Sequence, residues 1–359
     1  MKRTYSAISL LFGAILITMT ACSSGGTAPS NSTAQTEADS STAAHPAPSG
    51  DARTISVGCN GSEEHVHIMG LRLFEKILEE KSGGAIQVEV FPNSILGSER
   101  EMVESTIMGS LDMVVSTIDG TAAGWVPNGQ IYSVPYLFDT LEDARDVSDN
   151  FLLDRLQEDY EAVGLHNLAI MELGFRHFTN NKRPINSAAD MEGMLIRVQE
   201  AAVWETLLDS LKATPSPIAF NELYSAMQQG VIDGQENPIA IISAQKYYEV
   251  QKYLVLDGHT YSAGGVFMNL DLYNDLSDQE RTWVEEAIFE ANKQQREVVD
   301  SLTEQRLEEC KKAGMEIVEH PDLESFKAAT ADFVNHEKVK EAFDISLVDE
   351  VKEYLSSKE

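Results

Sequence analysis

Cysteine is nearly absent from this chain, with three in 359 residues, at positions 22, 59 and 310. So few thiols exclude a disulfide-stapled scaffold, and a chain this long can bury an ample core without staples. A bridge between Cys59 and Cys310 is neither required nor forbidden by the spacing. Positive charge is also short: 27 Lys and Arg stand against 58 Asp and Glu, a formal net charge of −31. That balance excludes nucleic acid as a partner and works against anionic lipid surfaces. Hydrolase and nucleotide-binding signatures are missing as well, with no G-x-S-x-G, no H-E-x-x-H and no P-loop, so no catalytic residue and no cofactor is expected. No internal repeat is visible. Beyond the N-terminal segment, no apolar run reaches the length needed to cross a bilayer.

What is present starts with a leader. Lys2 and Arg3 precede an apolar stretch over 7–18, and small residues follow up to Cys22, the pattern of a secretory signal peptide. Met19-Thr20-Ala21-Cys22 resembles the bacterial lipobox, with Met19 where leucine is usual. That resemblance implies a lipoprotein signal over 1–22 with the lipid on Cys22. Residues 23–53 are Ser, Thr, Ala, Gly and Pro with scattered charge, a flexible tether spanning about 30 Å. The expected location is extracytoplasmic, touching the membrane through the lipid anchor only. Loss of Lys2 and Arg3 moves the formal charge to −33. An anionic ligand is still admissible, because the field of surface acids is screened beyond about 10 Å and local arginines decide the sign inside a cleft.

From residue 54 onward, strand and helix signals alternate. Residues 54–57 read as extended, 65–80 carry helical apolar spacing, and 85–91 alternate as a strand. Ser98 caps a helix running to Met108, and 111–115 is the next strand. This order predicts an α/β fold with mostly parallel sheets. A helical stretch over 139–163 leads to a strand over 165–171. Helices follow at 203–211 and 221–229, the second closed by Gly230, with strands at 231–234 and 260–269. Ser277-Asp278-Gln279-Glu280 is a capping box, and neither proline nor glycine interrupts the pattern from there to Lys312. One helix of about 50 Å is expected, longer than a lobe is wide. The expected architecture is therefore two lobes, periplasmic-binding-protein-like, with the long helix spanning both. Lobe I comprises 54–173 and 263–302, lobe II comprises 174–262 and 303–330, and 331–359 forms a C-terminal helical segment.

Arg197 stands inside Leu195-Ile196-Arg197-Val198, a short apolar run that reads as a buried strand. A guanidinium stays charged near pH 7 and needs an anion when buried. The expected anion is the carboxylate of a small-molecule ligand. Arg176, twenty-one residues earlier, either shares that ligand, bonding hydroxyls or the second carboxylate oxygen, or stands exposed. Asn237, before Pro238, is pushed out of helical geometry and either offers its amide to the ligand or shapes a turn. Residues 213–220 contain two prolines that fix a rigid turn, with Phe220 and Asn221 at the mouth of a helix whose free N–H groups favour an anion. His65 and His67, beside Glu63 and Glu64, raise the question of a metal. Residues two apart on a helix point to different faces, so no metal site is expected.

Together these residues carry a family resemblance over about 54–332. FPNSILGSEREM, LDMVVS, VPYLF, FTNNKRPINSAADMEGMLIRV, ATPSPIAFNELYSAMQQGVIDGQENP and YYEVQKYLVLDGHTY are similar to the solute-binding proteins of tripartite ATP-independent periplasmic (TRAP) transporters, DctP type. The resemblance implies two lobes closing on a ligand and delivery of that ligand to TRAP membrane permease subunits. It assigns Arg197 the salt bridge to the ligand carboxylate. Arg176 matches the second, less uniform arginine, Asn237 the asparagine of Q-E-N-P, and Phe220 the aromatic after P-x-A. His65 matches the histidine that opens the first helix, followed here by Val66 instead of proline. Members usually have proline after R-V, where this chain has Gln199 and then Glu200. Acidic residues of the sialic-acid branch align with Ser98 and Thr117, which disfavours sialic acid. Sugar acids such as hexuronates or aldonates are expected from the hydroxyl-compatible polar set. C4-dicarboxylate, keto-acid or signalling-subunit roles are the alternatives.

Overall fold

The computed structural model describes residues 52–358. The signal segment, Cys22 and almost all of the tether lie outside the described residues. Strands β1 (Arg53–Gly58), β2 (Ile86–Phe91) and β3 (Met113–Thr117) form a parallel set with β1 at its centre. In β2, buried Ile86, Val88 and Val90 alternate with exposed Gln87 and Glu89, as a sheet with one covered face requires. The helix Val66–Ser82 covers that face, burying Ile68, Leu71, Phe74 and Leu78 along one stripe.

Strand β4 (Leu165–Asn180) is sixteen residues long and changes partner midway. A second parallel set follows, in which β5 (Leu195–Val198) lies between β6 (Thr214–Pro217) and β7 (Gly234–Pro238). β8 (Tyr253–Val255) pairs with the end of β4, β9 (Tyr261–Asn269) returns antiparallel between β3 and β4, and β10 (Glu316–Val318) adds to β8. The order β2-β1-β3-β9-β4-β7-β5-β6 makes one mixed sheet path. Parallel pairing, expected throughout, holds within each set and gives way to antiparallel pairing wherever β4 and β9 carry the chain across. Up to Phe175, β4 pairs with β9; from Arg176 onward it pairs with β7. A register shift just before this switch holds Gly174 at φ 110°, a backbone value that glycine adopts without strain.

The two lobes that these sets build are joined by one 35-residue helix, Asp278–Lys312, opened by the Ser277–Glu280 capping box. Val284, Ala287, Ile288 and Ala291 enter the core beside β1 and β2, whereas Cys310 enters a separate core with Leu223 and Leu254. Cys59 and Cys310 are buried, unbonded and in different cores.

Three expectations are corrected. The stretch over 139–163 is not one helix: Leu141–Val147 runs into a π turn, Ser148–Leu152, and two short pieces. Ser148 is drawn inward by Tyr132 Oη at 2.7 Å and donates to Ala144 O, a bond that bends helices. Residues 214–217 are the strand β6 instead of a turn, and their prolines are tolerated because β6 is an edge strand. Finally, β7 begins at Gly234, not Val231, so Asn237 sits within a strand.

The close approach of β7 to β4 is testable. A Cβ on Gly234 would lie 2.1 Å from Thr179 O, a backbone atom that cannot swing aside. Gly234→Ala should cost about 1–3 kcal/mol of stability, read as a lower midpoint in urea. An unchanged midpoint would show that the two strands are less tightly apposed.

Candidate functional site

In α/β sheets, side chains from loops at the carboxyl ends of parallel strands converge on one crevice. Here Asn60 follows β1, Thr117 ends β3, and Gln199 follows β5. All three line a cavity with about 600 Å³ of unfilled space, its mouth included, which also takes in Arg197, Arg176, Asn237, Phe220 and His65. The five ligand-binding residues expected from sequence thus come together.

Arg197 lies between core residues Ile196 and Val198 and is 3% exposed. Its Nε donates to Ile218 O at 2.8 Å. Among the described residues, no carboxylate forms an ion pair with it. Burial depresses its pKa below the usual arginine value, and the more distant Glu236 works in the opposite direction. The group remains a cation, poorly solvated and facing the cavity.

Arg176 is the opposite case, and its exposed alternative is overturned: it is 1% exposed. It pairs with Glu236 through Nε and through Nη2, the latter 2.9 Å from Oε1, and Nη1 donates to Ser262 Oγ at 3.2 Å. The Trp204 ring lies 5.3 Å away. Its charge is thus already matched inside the protein, while the residue still lines the cavity beside Arg197. Behind Glu236 stands His259, stacked on Phe178 and bonded to Asp257 at 2.8 Å. Burial opposes a charge on His259, but Asp257 and Glu236 outweigh it and lift the pKa to about 9.

Asn237 Oδ1 accepts from Arg176 Nη2 at 3.2 Å, and its Nδ2 donates to Gln235 Oε1. The amide is therefore fixed by protein partners on both ends. His65 caps the helix Val66–Ser82, its Nδ1 accepting from His67 N at 3.1 Å. Burial, then the neighbouring His67, pushes its pKa well down, so it is neutral. Phe220 meets the His65 ring edge-on at 6.2 Å. The helix Phe220–Gln228 brings Ala219 and Phe220 to the cavity, but Asn221 is exposed and does not line it. Among the described residues, no group of three His, Cys, Asp or Glu is placed to hold a metal.

Sequence reading missed Glu99. It is the first residue of the helix Glu99–Ile107 yet only 9% exposed. Oε1 accepts from Thr117 N at 2.7 Å, Ser116 Oγ at 2.8 Å and Thr117 Oγ1 at 2.9 Å, and Oε2 accepts from Asn60 Nδ2. Burial raises its pKa; the bond from Thr117 N opposes that most strongly. The sequence signal was partial. Glu101 closed the capping box with Ser98, which left Glu99 without a helix-end role. His67, weighed from sequence only as a metal ligand, also lines the cavity, and its Nε2 is buried with no hydrogen-bond partner among the described residues. Among the described residues lining the cavity, Arg197 is a cation without an ion-pair partner, with the buried carboxylate of Glu99 in the same lining.

Residues 57–340 match the family described as "Bacterial extracellular solute-binding protein, family 7", DctP. The 2,3-diketo-L-gulonate-binding periplasmic protein YiaO of Escherichia coli is 30% identical over 81% of this chain and 88% of its own length. The fold is similar to a TRAP periplasmic solute-binding protein of Polaromonas bound to D-erythronate, with TM-score 0.77 and 35% identity, covering 82% of this chain and 98% of that one. It is also similar to one from Anaerococcus prevotii with bound D-glucuronate, with TM-score 0.80 and 28% identity, covering 85% and 99%.

The buried charge chain makes a pH prediction. A folded pKa above the ordinary histidine value means that His259 contributes stability below about pH 6.5, lost as pH rises through about 9. The melting temperature should therefore fall across that window more steeply in wild type than in His259→Gln. Parallel curves would show that His259 carries no charge in the folded protein.

Proposed function

The chain belongs to the DctP family, the solute-binding proteins of TRAP transporters, and from that premise we propose that it captures a sugar acid through Arg197 and hands it to TRAP membrane permease subunits. The observation that carries this reading is a buried guanidinium facing a cavity, with no carboxylate partner among the described residues. A ligand carboxylate completes it with two parallel charge-assisted hydrogen bonds. Asn237, Phe220 and His65 shape the remaining wall, and Arg176 holds Asn237 in place from behind. The carboxylate of Glu99 suits the hydroxyls of a sugar acid better than a second carboxylate, which it would repel. Related proteins with bound D-erythronate and D-glucuronate support the same ligand class.

The lobes are divided at 173/174, 262/263 and 302/303, with 331–359 as an appended helical segment. The change of partner along β4 between Phe175 and Arg176 supports the first boundary. Ligand contacts on both lobes shift the ensemble towards closure. The receptor binds its solute without converting it, and recovery of unchanged ligand after long incubation checks this. Among the described residues, no helix is long and apolar enough to cross a membrane. A lipid on Cys22 tethers the domain at the outer face of the membrane, and the permease is its partner there.

Calorimetry with D-erythronate and D-glucuronate tests the core claim. Arg197→Ala should lose about 2–5 kcal/mol of binding free energy for whichever acid binds. Arg197→Lys should lose much of it too, because an ammonium lacks the planar fork. Undiminished affinity in both variants would remove Arg197 from the site.

A further inference from the structure

Gln199 lies two residues beyond Arg197, just past the end of β5, and both residues line the cavity. Its Nε2 donates to Asp119 Oδ2 at 2.9 Å. Asp119 is fully buried, with Ser262 Oγ 2.8 and 3.0 Å from its two oxygens. An ionised carboxylate accepts hydrogen bonds and donates none, so the amide must turn its NH2 to Asp119 and its carbonyl oxygen away. That oxygen accepts no hydrogen bond from the described residues, and Gln199 lines the cavity. Gly120 makes the seat: a Cβ there would lie 2.2 Å from Gln199 Oε1 and 2.5 Å from Thr117 Oγ1.

We propose that Gln199 Oε1 accepts a hydrogen bond from the ligand hydroxyl on the carbon next to the carboxylate, which makes the receptor selective for aldonates over pyranose uronates. This rests on the carboxylate reading of Arg197. In extended chain, residues two apart stand about 7 Å from each other, and Gln199 directly follows β5. Two hydrogen bonds of about 2.8 Å, together with the short step from a carboxylate oxygen to the adjacent hydroxyl, span that gap. In a 2-hydroxy acid the group at this place is a donor, and Oε1 is satisfied. In a pyranose uronate the same carbon carries the ring ether oxygen, so acceptor would face acceptor with no proton between them. Asp119 acts as a positioning residue, because it sets which end of the amide the ligand meets.

The test is calorimetry with D-erythronate, 3,4-dihydroxybutanoate (the same acid without the 2-hydroxyl) and D-glucuronate. Wild type should favour D-erythronate over its deoxy analogue by about tenfold or more, and over D-glucuronate as well. Gln199→Met, close in shape but without the acceptor, should bring the erythronate-to-deoxy ratio near one. Asp119→Asn, which lets the amide turn over, should lower the ratio in the same direction and serves if Gln199→Met does not fold. A ratio that survives Gln199→Met, or tighter binding of D-glucuronate than of D-erythronate by wild type, overturns the proposal. Loss of all three acids in Arg197→Ala alongside a surviving ratio would leave the carboxylate reading standing and remove the role of Gln199.

Discussion

A cation held out of water, with no anion paired to it among the described residues, is the constraint around which this molecule is organised. Desolvating a guanidinium costs several kcal/mol even after relaxation. One hydrogen bond to Ile218 O recovers only part of that. The protein holds Arg197 in this condition by burying its neighbours Ile196 and Val198 in the core, so the side chain cannot withdraw to solvent. The deficit is local and specific, and a small carboxylate is the simplest species that removes it.

The acidic surface does not contradict this. A formal charge of −31 sets the field at a distance, where ions screen it beyond about 10 Å. Inside the cavity the count is different. Arg176 and His259 are balanced by Glu236 and Asp257, Asp119 is buried behind Gln199, and Arg197, Glu99 and Glu200 are the remaining arginine and acidic residues that line the cavity. Glu99, whose charge burial disfavours, sits among donors from Thr117, Ser116 and Asn60. The cavity therefore presents positive charge at one place and acceptors elsewhere.

Much of the fold was legible because its signals are local. The N-cap at Ser98, the capping box at Ser277 and the uninterrupted 35-residue helix need no tertiary context to be read. Arg197 was legible for a related reason: a charge inside a four-residue apolar strand has few bland explanations. Glu236 and Glu99 were not. Glu236 is an ordinary acid in Q-E-N-P until β7 is laid beside β4, which places it on Arg176. Glu99 looks like a first-turn acid stabilised by the helix dipole, and only the approach of β3 turns it inward. The missed start of β7 and the missed β6 have the same origin, since both strands exist through pairing with β5 more than through their own residues.

Arg176 and Arg197 show how one residue type acquires two roles on one sheet. Both are almost fully buried, and both lie in strands bordering the same cavity. Arg176 meets a carboxylate of its own chain, so its charge is matched on folding. It works as structure, fixing Asn237 and tying β4 to β7 where the pairing changes. Had Glu236 faced Arg197 instead, that arginine would have been satisfied in the empty protein. The ligand carboxylate would then have had to compete with an internal partner already in place. Affinity for a small acid therefore depends as much on which arginine lacks a partner as on which one is present.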